Sequence, residues 1–315
     1  MLGYAVRRIL WILPVLIAAS IITFIVMHGA PGSPWSREGR PLDPHLVARL
    51  NEQLGLDRPL PLQYLSWLGR MLLGDFGLTA TEAPRQVGSV VANSAWPSVQ
   101  LGLMAFAVAV LVGVPLGIVA ALRHRTIVDY AATGVAILGM AAPAFALGAI
   151  LQILLTAREF GPPGFLPRHG WDSPQHWILP TVALAGLPLA QIARFTKASM
   201  LEVLHHDYIR TAHSKGLDAR QVVTHHMIRN ALVPLVTIAG PILAILLTGS
   251  IAVELIFDIP GLGQLYWYSI RYRDFGTVMG ITVLYAGSIA ILNALVDIGY
   301  GYIDPRLRDH VMEPA

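Results

Sequence analysis

The chain has 315 residues, 55% of them hydrophobic and 13% charged, against about 25% charged in an ordinary soluble domain; this excludes a soluble globular domain and indicates a protein that crosses a membrane several times. The formal charge of +3 is explained by basic loops gathered on one side of that membrane, so no nucleic-acid partner is implied. The absence of cysteine excludes disulfides, iron–sulfur clusters and thiolate zinc sites.

A helix needs about 20 apolar residues to span a bilayer, and the first such run, 9–27, follows Arg7 and Arg8. A cleavable secretory signal starts the same way, but this run approaches spanning length and no small-residue cleavage pattern precedes Pro31. Residues 1–30 therefore read as an N-terminal segment and first span. Residues 31–97 read as an extracytoplasmic helical insertion. There, Asp43 before Pro44 is an N-cap followed by a first-turn proline, and Gly55 stands just past Leu54, which brackets one helix. A second helix is expected over 61–74, with leucines, Tyr64 and Trp67 suited to resting on the membrane surface, on a docked protein or on the rest of the chain. Residues 98–315 read as the core, with five more spans expected at 99–122, 128–155, 177–192, 232–257 and 276–300.

Between the fourth and fifth spans, residues 202–230 are rich in charge and histidine, with Gly216 near the middle. They should lie outside the bilayer as a short helix, a glycine turn and a second helix, able to take force from a soluble partner. Six spans put both termini on one side. Among short loops, that side carries Arg7, Arg8, Arg123, Arg125, the basic residues of 194–229, Arg306 and Arg308; the other carries Arg158, Arg168, Arg271 and Arg273. The basic excess makes the termini and the polar block cytoplasmic.

Reactive chemistry is hard to place. The two lysines, Lys197 and Lys215, lie in no Gly-Lys-Ser/Thr phosphate loop, so the usual nucleotide-hydrolysing motif is missing. There is no His-Glu-x-x-His or Gly-x-Ser-x-Gly, and Ser214 beside Lys215 faces elsewhere on a helix. An intramembrane enzyme would have to rest on residues that no motif displays; no catalytic residue, cofactor or metal site is assigned. His205, His206, His213, His225 and His226 crowd the polar block, yet none are paired at i, i+4, the spacing that sets two imidazoles on one helical face. Contacts to headgroups or a partner suit them better than a metal or pH sensing. Charges at membrane depth are costly and tend to face a bundle interior or a wet path. Glu254, followed by Asp258, Pro260 and Gly261, marks a candidate translocation path or gate near the outer end of the fifth span. Asn293 and Asp297 share a face of the sixth at i, i+4 and suit interhelical hydrogen bonding as well as a path. Glycine and proline recur in the spans, as in Gly113-Val114-Pro115-Leu116-Gly117, 139–143, 186–188 and Gly240-Pro241, where they permit close approach and kinks.

Several of these features form an ordered set. Asp207 to Gly216 with the downstream Pro234 is preceded by Ser199 to Val203. Tyr4 to Arg8, Pro31 to Pro34, Leu54 to Leu60 with Gln63, Tyr64 and Trp67, and Gly74-Asp75-Phe76-Gly77 come before it; Val253-Glu254, Phe257, Pro260-Gly261, Arg273-Asp274, Asn293, Asp297 and Asp304-Pro305-Arg306 follow. Together they resemble the permease (membrane-spanning) subunits of bacterial ABC importers, in the dipeptide/oligopeptide (peptide/nickel) branch, over nearly the whole chain. Thr211-Ala212-His213 stands where the general signature has Glu-Ala-Ala and fits the peptide branch's Arg-Thr-Ala. Lys197 replaces a frequent Arg, Gly276 a frequent Pro and Ala141 a frequent Ser.

The resemblance implies an all-α integral membrane subunit of six transmembrane helices, in the bacterial inner membrane. Tyr208, Ile209, Arg210, Thr211, Ala212, His213, Ser214, Lys215, Gly216 and Leu217 would contact the ATPase. Partners would be a second, homologous permease subunit, two ABC ATPase subunits that hold ATP and Mg, and an extracytoplasmic solute-binding protein. Glu254 could then meet a peptide's free amino group. Nickel and glutathione importers share the architecture. Nickel would call for nitrogen or oxygen ligands along the path, where His28, at the mouth of the first span, is nearly alone. An ion-coupled secondary transporter, with Glu254 and Asp297 as proton carriers, is the reading from another class.

Overall fold

The computed structural model describes residues 2–29, 44–80, 84–156 and 166–303. Asp43, Pro31 to Pro34, Arg158, Asp304 to Arg306 and Arg308 lie outside the described residues, as do the side chains of His213 and Asp297. The described chain is all-helical, with only the isolated bridges Leu78 to Gln86 and Thr156 to Leu166. In order come α1 (Leu2–Gly29), α2 (Pro44–Leu54), α3 (Leu60–Leu72), α4 (Val87–Leu122), α5 (Ile127–Ala141), α6 (Ala144–Leu155), α7 (Pro174–Leu204), α8 (Asp207–Ser214) and α9 (Ala219–Gln221). A π-helical turn (Val222–Met227), α10 (Ile228–Leu247), α11 (Ile251–Phe257), α12 (Leu262–Arg271) and α13 (Phe275–Ile303) complete the order.

Four described helices are long and apolar enough to cross a membrane, at Leu10–Gly29, Val87–Leu122, Pro174–Leu204 and Phe275–Val296. The number rises to six if each of two bent pairs counts as one span. The third span expected at 128–155 is not one continuous helix: α5 and α6 meet at 105°. Proline disfavours helical geometry in the residue before it, and Ala142, ahead of Pro143, is extended at φ −106 and ψ 133. The fifth span expected over 232–257 also breaks. The helix bends by 50° at Pro234 and ends at Leu247; Gly249 takes a φ of +81 before Ser250 caps α11, its hydroxyl accepting from the Val253 N–H. The second and fourth spans are longer than expected, starting at Val87 and ending at Leu204 respectively.

The chain forms two compact units. One comprises residues 1–98 and 260–315. There α1 packs along α13, and Trp67 of α3 closes on Met279 and Val283 with Leu16, Phe24 and Tyr64 around them. Ser20 Oγ and Tyr64 Oη lie 2.9 Å apart. The buried Asp274 carboxylate starts α13 by accepting from the Thr277 N–H at 3.1 Å and the Thr277 hydroxyl at 2.7 Å, the usual use of an acid at an N-cap.

The other unit comprises residues 99–259. Here α7 is the central post, packing against α5, α6 and α10. Backbones touch where side chains are absent: a Cβ on Gly117 would lie 2.5 Å from the Ala193 carbonyl oxygen, and one on Gly139 2.7 Å from that of Gly186. Gln152 of α6 ties two segments by donating to the carbonyls of Arg168 at 2.9 Å and Ile256 at 3.1 Å.

Candidate coupling block and buried polar residues

α7 stops at Leu204, and after two residues the polar block begins with α8. One side of this short helix is apolar and faces inward: Ile209 and Ala212 are buried against Met200 and Val203 of α7, Ala121 of α4, and Val222, Met227 and Ala231. Tyr208, Arg210, Thr211, Ser214 and Lys215 are exposed. Thr211 and Ser214 return their hydroxyls to the carbonyls of Asp207 and Arg210, while Tyr208 accepts from Asn230 Nδ2 at 3.1 Å and stacks with His206 at 5.5 Å.

Gly216 ends α8 with a φ of +80. The Leu217 N–H reaches back to the Ala212 carbonyl at 3.3 Å, the six-to-one bond of a Schellman turn, which requires a left-handed residue and favours glycine there. Leu217 then packs on the same buried cluster. Asp218 caps the next helix, its Oδ1 accepting from the backbone N–H groups of Arg220 and, at 3.0 Å, Gln221. The expected helix, glycine turn and helix are therefore present. The second helix does not end before the membrane segment; it passes through the π-helical turn at Val222–Met227 straight into α10. His205 binds the Leu201 carbonyl and His225 the Thr224 hydroxyl, and among the described residues no group of three or more metal-binding side chains converges.

Above the block, α5 and α7 are joined by a buried ion pair. Asp129, 4% exposed, uses Oδ1 to accept from Lys197 Nζ and, at 3.2 Å, from the Thr133 hydroxyl. Its Oδ2 accepts from the Arg125 N–H at 3.0 Å and lies 3.1 Å from His124 Nδ1. In the sequence Lys197 stands out as one of two lysines and as a departure from a frequent Arg, and no motif singles out its acid partner.

The candidate path residues fall in both compact units. Glu254 is fully buried on α11, and its Oε1 accepts from the Ser250 N–H at 3.3 Å, so carboxylate and Ser250 hydroxyl cap the helix reciprocally. Asp258 is exposed and left-handed, at φ 53; around it the Ile259 N–H bonds the Glu254 carbonyl at 2.9 Å. Pro260, Gly261, Asn293 and Asp297 belong to the other unit. There Gly261 is buried at the start of α12, and Asn293 lines a cavity on α13 together with Arg8 and Trp11.

Residues 113–309 match the family described as the binding-protein-dependent transport system inner membrane component. The chain belongs to this family. Residues 1–96 match the N-terminal region described for the same transport-system membrane components. The chain is 38% identical over 312 residues to the dipeptide transport system permease protein DppB of Bacillus subtilis, covering 98% of this chain and 99% of that protein. It is 37% identical to the oligopeptide transport system permease protein OppB of Escherichia coli K12, over 98% of this chain and 100% of that one. The glutathione transport system permease protein GsiC of Salmonella choleraesuis is 36% identical, with 98% and 99% covered. A crystal structure of an amino acid ABC transporter with histidines shares the fold, with a TM-score of 0.53 at 16% identity, over 67% of this chain and 92% of that one. This family member is thus a multi-pass inner-membrane permease subunit of an ABC importer, and its class is transport rather than enzymatic catalysis.

Proposed function

We propose that this permease carries di- and oligopeptides inward, driven by ATP hydrolysis on separate subunits. The observation that carries the cargo reading is full-length similarity to dipeptide and oligopeptide permeases at 37–38% identity. A second, homologous permease subunit would complete the path, two ATPase subunits would bind ATP and Mg, and an extracytoplasmic binding protein would deliver the peptide. Both termini and the polar block would be cytoplasmic.

The shape of the polar block supports a coupling role for Tyr208 to Leu217. An exposed polar face is offered to a partner, while Ile209, Ala212 and Leu217 are locked into a cluster that includes α4 and α7. A push on α8 therefore reaches two membrane helices through packed side chains, the kind of contact that moves elements as rigid bodies. Glu254 is less suited to carry a proton, since its carboxylate is engaged by its own helix cap. Glutathione is a second cargo reading, favoured by the 36% identity to GsiC and chemically close, since glutathione is a tripeptide.

The test is uptake by the complete transporter in proteoliposomes, with its ATPases and binding protein, using labelled dipeptide, oligopeptide and glutathione. ATP-dependent peptide uptake that survives an uncoupler is expected. Uptake that follows a proton gradient and ignores ATP would refute the coupling assignment, and glutathione uptake without peptide uptake would transfer the cargo.

A further inference from the structure

Within the unit of residues 99–259, α4, α5 and α7 line an open cavity of about 380 Å³, in the range of pockets that hold small ligands, about 300–1,000 Å³. Small side chains create it: Gly117, Ala120, Ala132, Ala136, Ala190 and Ala193 line the walls. Its margin includes Ile137 and Met140, 58% and 38% exposed, so it opens on an apolar surface. Since Asp129 meets Lys197 and Gly139 lies on Gly186, α5 and α7 run antiparallel, and the cavity has two distinct ends.

One end is purely apolar. The other, at the level of Thr133, Arg194 and Lys197, is cationic. Asp129 is the acid there, and it is already engaged by Lys197. Through Asp129 the turn between α4 and α5 is tied to the same place, bringing the exposed Arg123 and Arg125. Arg194, one helical turn before Lys197, is exposed, and its guanidinium has no hydrogen bond or ion pair among the described residues. The next acid on α7, Glu202, lies more than a turn beyond Lys197.

We propose that this cavity receives one acyl chain of an anionic phospholipid, with the phosphate against Arg194 and the arginines of the α4–α5 turn. An open void in hydrocarbon forfeits dispersion contacts that a neighbouring chain restores, and basic pockets between membrane helices attract anionic headgroups. A peptide is a poorer occupant: walls this short of polar groups would leave its amides without partners, a costly arrangement.

The complete transporter would be equilibrated in nanodiscs of phosphatidylcholine containing a minor fraction of phosphatidylglycerol, and retained lipid measured by native mass spectrometry. Wild type is expected to retain phosphatidylglycerol preferentially. Loss of this cation in Arg194→Gln should lower that preference about fivefold, and Arg194→Lys should restore most of it. Ala136→Leu, which fills the cavity, should reduce retention of both lipids. Retention without headgroup preference, or phosphatidylglycerol retention unchanged in Arg194→Gln, overturns the proposal, as does a photoreactive peptide that labels Ala190 while lipid is displaced. Arg194 is exposed, so its variants keep the test alive if Ala136→Leu does not fold. The readout is bound lipid and stands whatever the cargo.

Discussion

Asp129 illustrates what a single residue contributes when it is buried in a membrane segment. An isolated carboxylate would be costly at that depth; here Lys197, Thr133 and the Arg125 N–H satisfy it. Removing one partner of a fully buried pair costs about 3–5 kcal/mol, because the other charge is left uncompensated; Lys197 is 21% exposed, so the loss here should be smaller, about 1–3 kcal/mol. Lys197→Met should therefore lower the thermal unfolding midpoint of the purified transporter markedly, Lys197→Arg should leave it near wild type, and Lys197→Met combined with Asp129→Leu should recover much of the loss. Equal midpoints for Lys197→Met and wild type would show that the pair contributes nothing. The pair is half legible in the sequence. Lys197 stands out as one of only two lysines, whereas Asp129, just inside an apolar run, looks like a tolerable end-of-span charge. Their separation of 68 positions means that only the packing of α5 on α7 joins them. Glu254 is the converse case. Its rarity at membrane depth is visible, but its engagement with Ser250 depends on a helix break that hydropathy does not register.

At the scale of elements, length and hydropathy locate every long helix, but they join α5 to α6 and α10 to α11 because neither break contains a charged residue. Pro143 and Gly249 are present in the sequence; which prolines kink a helix and which end it depends on the neighbours available to satisfy freed backbone groups. The polar block is more legible because a glycine after a short amphipathic segment is itself a helix-stop signal. Gly216 tests its role. No atom lies within 4 Å of a Cβ built there, so a side chain would not clash; it would strain the left-handed backbone by about 1–2 kcal/mol. Gly216→Val should thus leave the subunit inserted and assembled but misdirect α8, reducing transported peptide per ATP hydrolysed in proteoliposomes. Normal stoichiometry in that variant would remove the block from the coupling path. Helix contacts give a sharper contrast. Gly117→Val drives atoms into the α7 backbone and should cost about 3 kcal/mol or more, whereas Gly134, with nothing within 4 Å, should accept alanine with a gain of about 0.5–1 kcal/mol from helix propensity. Thermal midpoints of the two variants should move in opposite directions.

For the whole molecule, the family is readable because its motifs recur in order from Tyr4 to Arg306, and the proposed sidedness rests on charge distribution rather than on packing. The basic residues of the α4–α5 turn and of the polar block outnumber those of 166–173 and 271–273, and positive loops are retained on the cytoplasmic side. A chain without cysteine makes this directly measurable, since each introduced thiol is the sole reactive one. Cysteines at the exposed positions Arg125 and Ala219 should resist an impermeant maleimide in intact cells and react after permeabilisation, while one at the exposed Asp172 should react from outside. The pattern discriminates because each bent pair, α5 with α6 and Ala219–Leu232 with Pro234–Leu247, either crosses the membrane or returns to its starting face. If α5–α6 turned back as a re-entrant loop, Asp172 would share the side of Arg125 and both would be protected. External labelling at Ala219 would have a larger consequence: α8 would face away from the compartment that holds ATP, and the coupling assignment would fall with the orientation.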